Sequence, residues 1–511
     1  NFMTIHVKSV AFSGIEVITV DVQLQIANGI PSFAIVGLAD KTISESKERV
    51  RAALNSFGLA LPAKKILVNL APADLLKEGS HFDLAIATAI MVGAGILPHD
   101  QLSEFLIIGE LSLDGSIAPV AGALPAAIEA SAKNLGLICP YRNGPEAAWS
   151  ANEKIIAPDN LLELVNHFKG SQILPLPETS LVLEQEDSSY PDLAHIKGQE
   201  IAKRTLEIAA AGGHNLLMFG APGTGKSMLA QALPGILPPM SAQEVLECSV
   251  IASVAGLIND GKLDRKRPFR APHHSCSVAA MVGGGMARKV KPGEISLAHN
   301  GVLFLDELPE FPKTVIDSLR QPIESGYVLI SRVNSHVKYP ANFQLIAAMN
   351  PCKCGHIEDV DRACKKAPNC AFDYQLKISG PIMDRFDIHI SVPSVQNYGT
   401  PEASSSQTSK DIAKRIKAVR HLQQERHAKY DIKLNNQLTG QAFLDHATPT
   451  TDAKTMLDAA ANKFKLSMRA YNRILRVART IADMVDDKVI DKIHLAEALN
   501  YRQMDYRLMK S

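Results

Sequence analysis

Asn215-Leu216-Leu217-Met218-Phe219-Gly220-Ala221-Pro222-Gly223-Thr224-Gly225-Lys226-Ser227 joins an apolar run to a glycine-rich turn. The run Leu216 to Phe219 has the length and composition of a buried strand, and Ser227 to Leu233 has helical periodicity. Strand, turn and helix in this order make a phosphate-binding loop. Gly220, Gly223 and Gly225 let backbone N–H groups converge on an anion at a helix N-terminus, with Ala221, Pro222 and Thr224 completing the cradle. Lys226 is placed to reach terminal phosphates, and the Ser227 hydroxyl to ligate Mg²⁺. Nucleotide binding is the expectation that organises the rest of the chain.

Downstream, Gly301 to Leu305 reads as a second buried strand, ending in Asp306 and Glu307. A carboxylate at a strand tip can hold Mg²⁺ through its water shell, which suits Asp306; the next can orient or deprotonate an attacking water, which suits Glu307. Phe343 to Met349 repeats the buried pattern and stops at Asn350, where a third strand tip would meet the γ-phosphate; the plainer alternative is a turn asparagine. Next come Cys352, Cys354, Cys364 and Cys370, four thiols within nineteen residues. They can close a tetrahedral Zn²⁺ site of structural type, although their intervals are not the usual paired spacing. A set of reduced thiols is the alternative, and His356 could replace one ligand.

The chain has 511 residues, enough for about three domains. Its net charge of +1 advertises no global affinity for nucleic acid, so any contact with DNA must come from local patches. Seven cysteines, four of them clustered, suit a metal site in a reducing compartment better than a disulfide framework. No apolar run has membrane-spanning length and no secretory signal is readable, which predicts no membrane partner and a cytoplasmic location.

Residues 1–170 alternate strands (Ile5–Val10, Ile15–Gln25, Phe33–Val36, Ile66–Leu70) with helices (Ser44–Phe57, Asp83–Gly93), predicting a separate α/β domain. The charged Lys47, Glu48, Arg49 and Arg51 read as a solvated helix face. Residues 171–192 shift toward Pro, Ser and acidic side chains and read as a linker. An α/β domain then spans 193–399, with the cysteine-rich insertion at 352–370, and a helical domain spans 400–511. Within the latter, Lys410–Tyr430 and Leu466–Met484 are the strongest helical patterns.

In the first domain, Lys77-Glu78-Gly79-Ser80-His81-Phe82-Asp83-Leu84 and Gly109-Glu110-Leu111-Ser112-Leu113-Asp114-Gly115-Ser116-Ile117-Ala118-Pro119-Val120 resemble the proteolytic domain of Lon-type proteases. The resemblance implies a ribosomal S5 domain 2-like fold. Where that family has its nucleophilic serine and base lysine, however, this chain has about His81 and Leu124-Pro125, with Ser80 one position off. A serine nucleophile needs a positioned base, so a protease-like fold without the dyad is expected.

From residue 193 the order of motifs resembles an AAA+ ATPase core with a helical lid. Arg267-Pro268-Phe269-Arg270-Ala271-Pro272-His273-His274, Gly283-Gly284-Gly285 and Pro292-Gly293-Glu294-Ile295-Ser296-Leu297-Ala298-His299-Asn300-Gly301 are similar to the magnesium-chelatase-like branch, in particular to the bacterial ComM/YifB family. That resemblance implies ATP and Mg²⁺ as cofactors. Ser379-Gly380-Pro381-Ile382-Met383-Asp384-Arg385-Phe386-Asp387 is similar to the segment carrying the arginine finger, which assigns Arg385 to a neighbouring subunit's ATP; an ion pair with Asp384 or Asp387 is the alternative. Ser467-Met468-Arg469-Ala470 matches the lid segment that sends an arginine to the nucleotide, which makes Arg469 the second sensor. Arg473, Arg476 and Arg479 on the same helix read as surface or interface charges.

A site completed by a trans-acting arginine implies a ring, expected to be a homo-hexamer. The family resemblance implies an ATP-driven motor on single-stranded or branched DNA, with helicase and branch-migration activity during integration of DNA in natural transformation. Local support comes from Arg265, Lys266, Arg267 and Arg270, from Arg288, Lys289 and Lys291 beside the glycines, and from Arg332 with Lys338 in an expected hairpin; solvated basic loops are the alternative. A magnesium-chelatase motor subunit and an ATP-dependent protease are the competing readings. The fused Lon-like domain argues against the first and the missing dyad against the second.

Overall fold

The computed structural model describes residues 4–37, 40–179, 190–284, 290–332, 335–355, 365, 369–393 and 407–502. The first part of the chain builds a seven-stranded mixed sheet from β1 (Ile5–Ser13), β2 (Glu16–Ala27), β3 (Ser32–Val36), β4 (Lys65–Ala71), β5 (Phe105–Ile107), β6 (Gly136–Ile138) and β7 (Ile155–Ile156), in the order β3-β4-β2-β1-β5-β6-β7. Alternation makes these strands one-faced. Val20, Val22 and Leu24 of β2 and Ile66, Val68 and Leu70 of β4 are buried, and the residues between them are not. β1 and β2 pair antiparallel from Ile5 opposite Leu24 to Ser13 opposite Glu16. The helix Asp83–Gly93 is apolar on all sides and buried from Asp83 to Met91, as a helix under a sheet must be.

Arg49 departs from the solvated face expected of its helix, Lys41–Ser56. Its guanidinium makes a bidentate pair with the fully buried Asp83, at 2.6 and 3.0 Å. Charge runs do not distinguish the member of a helix that points inward.

The second sheet is parallel throughout. β8 (Leu216–Phe219), β9 (Phe269–Arg270), β10 (Val302–Leu305), β13 (Gln344–Met349) and β14 (Ile388–Ser391) stand in the order β9-β10-β13-β8-β14, and every residue of β8, β10 and β13 is buried. Between β10 and β13 the chain forms the expected hairpin, β11 (Tyr327–Arg332) with β12 (Ser335–Pro340). Buried runs without alternation are what a parallel sheet covered on both faces requires.

Helices of residues 409–500 close over this sheet, and their apolar faces share one core with Leu206, Leu216, Leu229 and Ile388. Arg473, Arg476 and Arg479 are not the surface charges expected. Arg473 Nη1 donates to Asp387 Oδ1 at 2.6 Å, Arg476 Nε to the Leu438 carbonyl at 2.9 Å, and Arg479, 2% exposed, to Asp483 Oδ1 at 3.0 Å. Their spacing on Met468–Met484 turns all three inward, where they bind carboxylates and carbonyls that hydropathy alone does not reveal. Asp483 also takes a bidentate pair from Arg426 at 2.6 and 2.7 Å and a bond from Asn435 Nδ2 at 2.7 Å. Asp483→Ala would leave the buried Arg479 and the part-buried Arg426 without their counter-charge, at a cost of about 3–5 kcal/mol. A clearly lower melting temperature is the expected result; a melting curve matching the parent's would remove this cluster from the stability account.

The first sheet's domain is seated on the second. Glu146 Oε1 accepts from Ser253 Oγ at 2.5 Å, Trp149 Nε1 donates to the Gly261 carbonyl at 2.8 Å, and Gly122 N donates to the Ser253 carbonyl at 3.0 Å. At the β1–β2 turn, a Cβ on Gly14 (φ +68°) would lie 2.7 Å from the Lys338 carbonyl oxygen of β12, so only glycine lets these segments approach.

Candidate nucleotide site

At the C-terminal ends of β8, β10 and β13 the predicted residues come together. Gly223 and Gly225 adopt φ of +79° and +91°, left-handed conformations that glycine alone takes without strain, and Gly225 caps the helix Lys226–Ile236. A Cβ on Gly220 would sit 2.4 Å from the Val392 carbonyl oxygen, so this glycine is required by packing. Lys226 Nζ donates to the carbonyls of Gly220 at 2.7 Å and Ala221 at 2.9 Å and lies 3.3 Å from Asn350 Oδ1. Burial lowers the pKa of this ammonium, against the pull of Asp306 and Glu307. Ser227 Oγ donates to Asp306 Oδ2 at 2.7 Å, and the Glu307 amide donates to Asp306 Oδ1 at 2.9 Å.

Glu307 itself has φ of +52°, in the left-handed region that a side chain of this size rarely occupies, and its carboxylate is half exposed. His274 Nδ1 lies 3.5 Å from Glu307 Oε2. The two histidines whose role the sequence left open lie ring against ring, centroids 4.0 Å apart, with different polar partners: His273 Nδ1 bonds Ser275 Oγ at 2.8 Å, and His274 faces the carboxylate. Contact with Glu307 had no signal in the sequence, because 33 positions separate the two residues.

These groups fit a nucleoside triphosphate with Mg²⁺. A glycine-rich loop, an ammonium and a hydroxyl–carboxylate pair converge, and a second carboxylate, half exposed beside His274, can face water.

Arg385 is elsewhere. Asn215, just before β8, donates through Nδ2 to the Arg385 carbonyl at 3.0 Å, and Ile388 pairs with Leu216; Arg385 therefore sits at the strands' N-terminal edge, the phosphate loop at the other. Four strand residues separate the two edges, about 13 Å. Arg385 Nη2 donates to Glu324 Oε1 at 2.7 Å and Nη1 to the Pro381 carbonyl at 2.5 Å. The intrachain pair is thus made with Glu324, and not with Asp384 or Asp387. Burial lowers the pKa of this guanidinium; Glu324 opposes the shift, and the positive charges of Arg469, Arg473 and Arg320 add to it. Arg469 itself is exposed. Asp387 belongs to Arg473 and His214. Burial works to raise its pKa, but these partners and the Asn215 amide hold it well below the usual carboxylate range.

Of the zinc candidates, the sulfur atoms of Cys352, Cys354 and Cys370 lie within 4.8 Å of one another; Cys364 and His356 lie outside the described residues. Tetrahedral Zn–S bonds of about 2.3 Å place sulfurs about 3.8 Å apart; the Cys352 and Cys354 sulfurs, 3.0 Å apart, would open slightly to share the ion, with Cys370 already within 4.8 Å of both.

Of the DNA candidates, Arg288 and Lys289 lie outside the described residues, as does the side chain of Arg332, whose backbone ends β11. Lys291 is exposed, in a short ribbon pairing Gly283–Gly284 with Lys291–Pro292. Arg267 and Arg270, expected among the basic residues facing phosphate, already hold carboxylates of this chain. Arg267 holds Glu244 at 3.1 and 3.2 Å, and Arg270 holds Glu294 at 2.6 and 2.8 Å. Each partner is far enough along the chain to escape a local reading of charge.

In the first domain, Ser80 Oγ donates to the Glu110 carboxylate. His81 is buried against Phe12 and Phe82 with Nε2 2.7 Å from the Val10 carbonyl oxygen, and Leu124 and Pro125 are buried in the helix Ala123–Ala132.

Three family models match the chain in sequence order: "Subunit ChlI of Mg-chelatase" over 22–143, "Magnesium chelatase, subunit ChlI" over 192–399, and "Magnesium chelatase, subunit ChlI C-terminal" over 406–502. The competence protein ComM of Haemophilus influenzae is 43% identical over 99% of this chain and 98% of its own length. The chain belongs to the ComM/YifB family. The uncharacterized protein YifB of Escherichia coli, another member, is 40% identical over 97% of the chain and 96% of its own length. The magnesium-chelatase 38 kDa subunit of Rhodobacter capsulatus is more distant, 28% identical over 30% of this chain and 49% of itself. The family is one of magnesium-chelatase-like AAA+ proteins, for which ATPase activity with ATP and Mg²⁺ is implied. Among the described residues no helix is long and apolar enough to cross a membrane.

Proposed function

We propose that the protein is an ATP-hydrolysing hexameric motor that moves on single-stranded or branched DNA and drives branch migration when incoming DNA is integrated. The observation that carries the ATPase reading is the bonded set Lys226–Asn350 and Ser227–Asp306 at one end of a parallel sheet. Lys226 and the loop amides bind and orient the phosphates, Asn350 fixes the terminal one, and Glu307 takes the proton of the attacking water. Ser227 and Asp306 would hold Mg²⁺, which would supply charge neutralisation to the phosphates. Arg385 stands a strand's length from its own phosphate loop, and Arg469 is exposed on the helix Met468–Met484. On this reading they serve the neighbouring subunit's nucleotide, with Arg385 exchanging Glu324 for it.

The DNA reading rests on the similarity to a competence protein along the whole chain and on the placement of the basic segments. Tyr339 of β12 donates to the Val290 carbonyl at 2.9 Å, so the hairpin and the Lys291 ribbon are neighbours. Zinc at the cysteine cluster, completed by Cys364, and a Lon-like first domain over 1–170 without peptidase activity belong to the same proposal. So do the ATPase core over 193–399 and the lid over 400–511.

Phosphate contacts of this kind make affinity fall steeply with salt, each lost contact lowering the log–log slope by about one unit. Lys291→Ala is expected to flatten the salt dependence of DNA binding by about that amount while basal ATP turnover persists. The decisive experiment is fork unwinding and movement of a synthetic Holliday junction with ATP and Mg²⁺. Failure of both with an active ATPase would end the motor reading, and stimulation by porphyrin instead of DNA would favour the chelatase alternative.

A further inference from the structure

β13 ends at Met349; the next residue, Asn350, places its Oδ1 3.3 Å from Lys226 Nζ, and two residues later Cys352 is fully buried. Only Pro351 separates the polar tip from the first thiol, and its carbonyl accepts from Gln375 Nε2 at 3.1 Å. Gln375 ends the helix Asn369–Gln375, whose second residue is Cys370. The cysteine segment therefore grips the end of β13 twice, through Cys352 and through the Cys370 helix. A third contact runs to the phosphate loop itself. Gly355 closes a turn on Cys352 (N to O 3.0 Å) with φ of +79°, and a Cβ there would lie 2.7 Å from Pro222 Cδ.

We propose that a soft divalent cation such as Zn²⁺, held by Cys352, Cys354 and Cys370, is a strut of the ATP site, so that metal occupancy sets how well Asn350 and the Pro222 loop hold the nucleotide. This coupling rests on the zinc and nucleotide readings above. Three thiolates share one ion only if residues 352–354 and the Asn369–Gln375 helix keep their present spacing. Without the ion the Cys352–Cys354 contact of 3.0 Å remains, but the bonds by which the metal ties Cys370 to that pair are gone and the spacing can relax. The displacement would pass to Asn350 through Pro351 and to the phosphate loop through Gly355. The ion contacts no phosphate; its residues act as positioning groups, in the manner of outer-shell partners whose loss costs about 10–100-fold.

The test uses the full chain, purified without chelator, as wild type, Cys370→Ser and Gly355→Ala. Elemental zinc, affinity for a fluorescent ATP analogue, and KM and kcat for ATP are measured on each, with melting curves to confirm folding. Wild type is expected to carry about one zinc. Cys370→Ser is expected to lose it, with ATP affinity down about tenfold and partial recovery on adding excess zinc. Gly355→Ala is expected to retain the metal and weaken ATP binding through Pro222 alone, raising KM more than it lowers kcat. Metal-free wild type would overturn the zinc reading itself. A folded, zinc-free Cys370→Ser protein with wild-type affinity and turnover would overturn the coupling and leave the zinc site standing. If Cys370→Ser does not fold, unchanged KM in a zinc-loaded Gly355→Ala protein decides against the coupling.

Discussion

Lys226→Ala is expected to abolish measurable ATP binding, while Glu307→Gln binds ATP as the parent does and turns it over at least about a hundredfold more slowly. Lys226 is the buried ammonium among the loop carbonyls, and its charge-assisted bonds to phosphate exist in the bound state regardless of chemistry. Its removal therefore falls on affinity. Glu307 is half exposed; its carboxylate lies 3.5 Å from His274 Nδ1 and its amide donates to Asp306, and neither is part of the phosphate loop. Replacing its carboxylate by an amide keeps size and removes the proton acceptor, so the loss falls on kcat. Equilibrium binding of a fluorescent analogue beside steady-state turnover separates the two. Normal turnover by either variant would detach the site from the activity.

The second large effect concerns Arg385. Arg385→Ala is expected to bind ATP close to normally and to hydrolyse it about 10³-fold more slowly, as expected for loss of a guanidinium that meets phosphoryl charge only in the transition state. On the proposed reading the effect is intermolecular, since Arg385 sits about 13 Å from its own phosphate loop. Mixed with Lys226→Ala protein, which keeps its arginine and lacks its own site, the variant should recover part of its turnover at mixed interfaces. Rings shown to contain both chains, yet without any recovery, would return Arg385 to the structural role of pairing Glu324. The Glu324 contact adds a control. Glu324→Gln frees the guanidinium without removing it and should leave turnover largely intact if Glu324 merely parks it.

Much of the site was legible because its chemistry is local. The phosphate loop, the acidic pair and Asn350 each close a short apolar run, and a parallel sheet brings such run ends to one edge whatever lies between. The predicted strand Leu216–Phe219 and helix Asp83–Gly93 fall on the residues expected. Such apolar patterns report burial, and burial decides those elements.

What the sequence by itself determined is therefore the order of strand tips and the residues each carries, along with the family that shares them. Tertiary structure alone decided which charges are spent internally. Arg49, Arg267, Arg270, Arg473 and Arg479 look like surface or DNA-facing charges in sequence, yet each holds a carboxylate. Of these only the Arg479–Asp483 pair lies within one helical turn; the other partners are 23 to 86 positions away. It also decided the approach of His274 to Glu307 and of Gly355 to Pro222. A side chain's periodicity states whether it can be buried, but an ion pair depends on which distant backbone the fold brings within 3 or 4 Å, and that is a property of packing and not of any window of sequence.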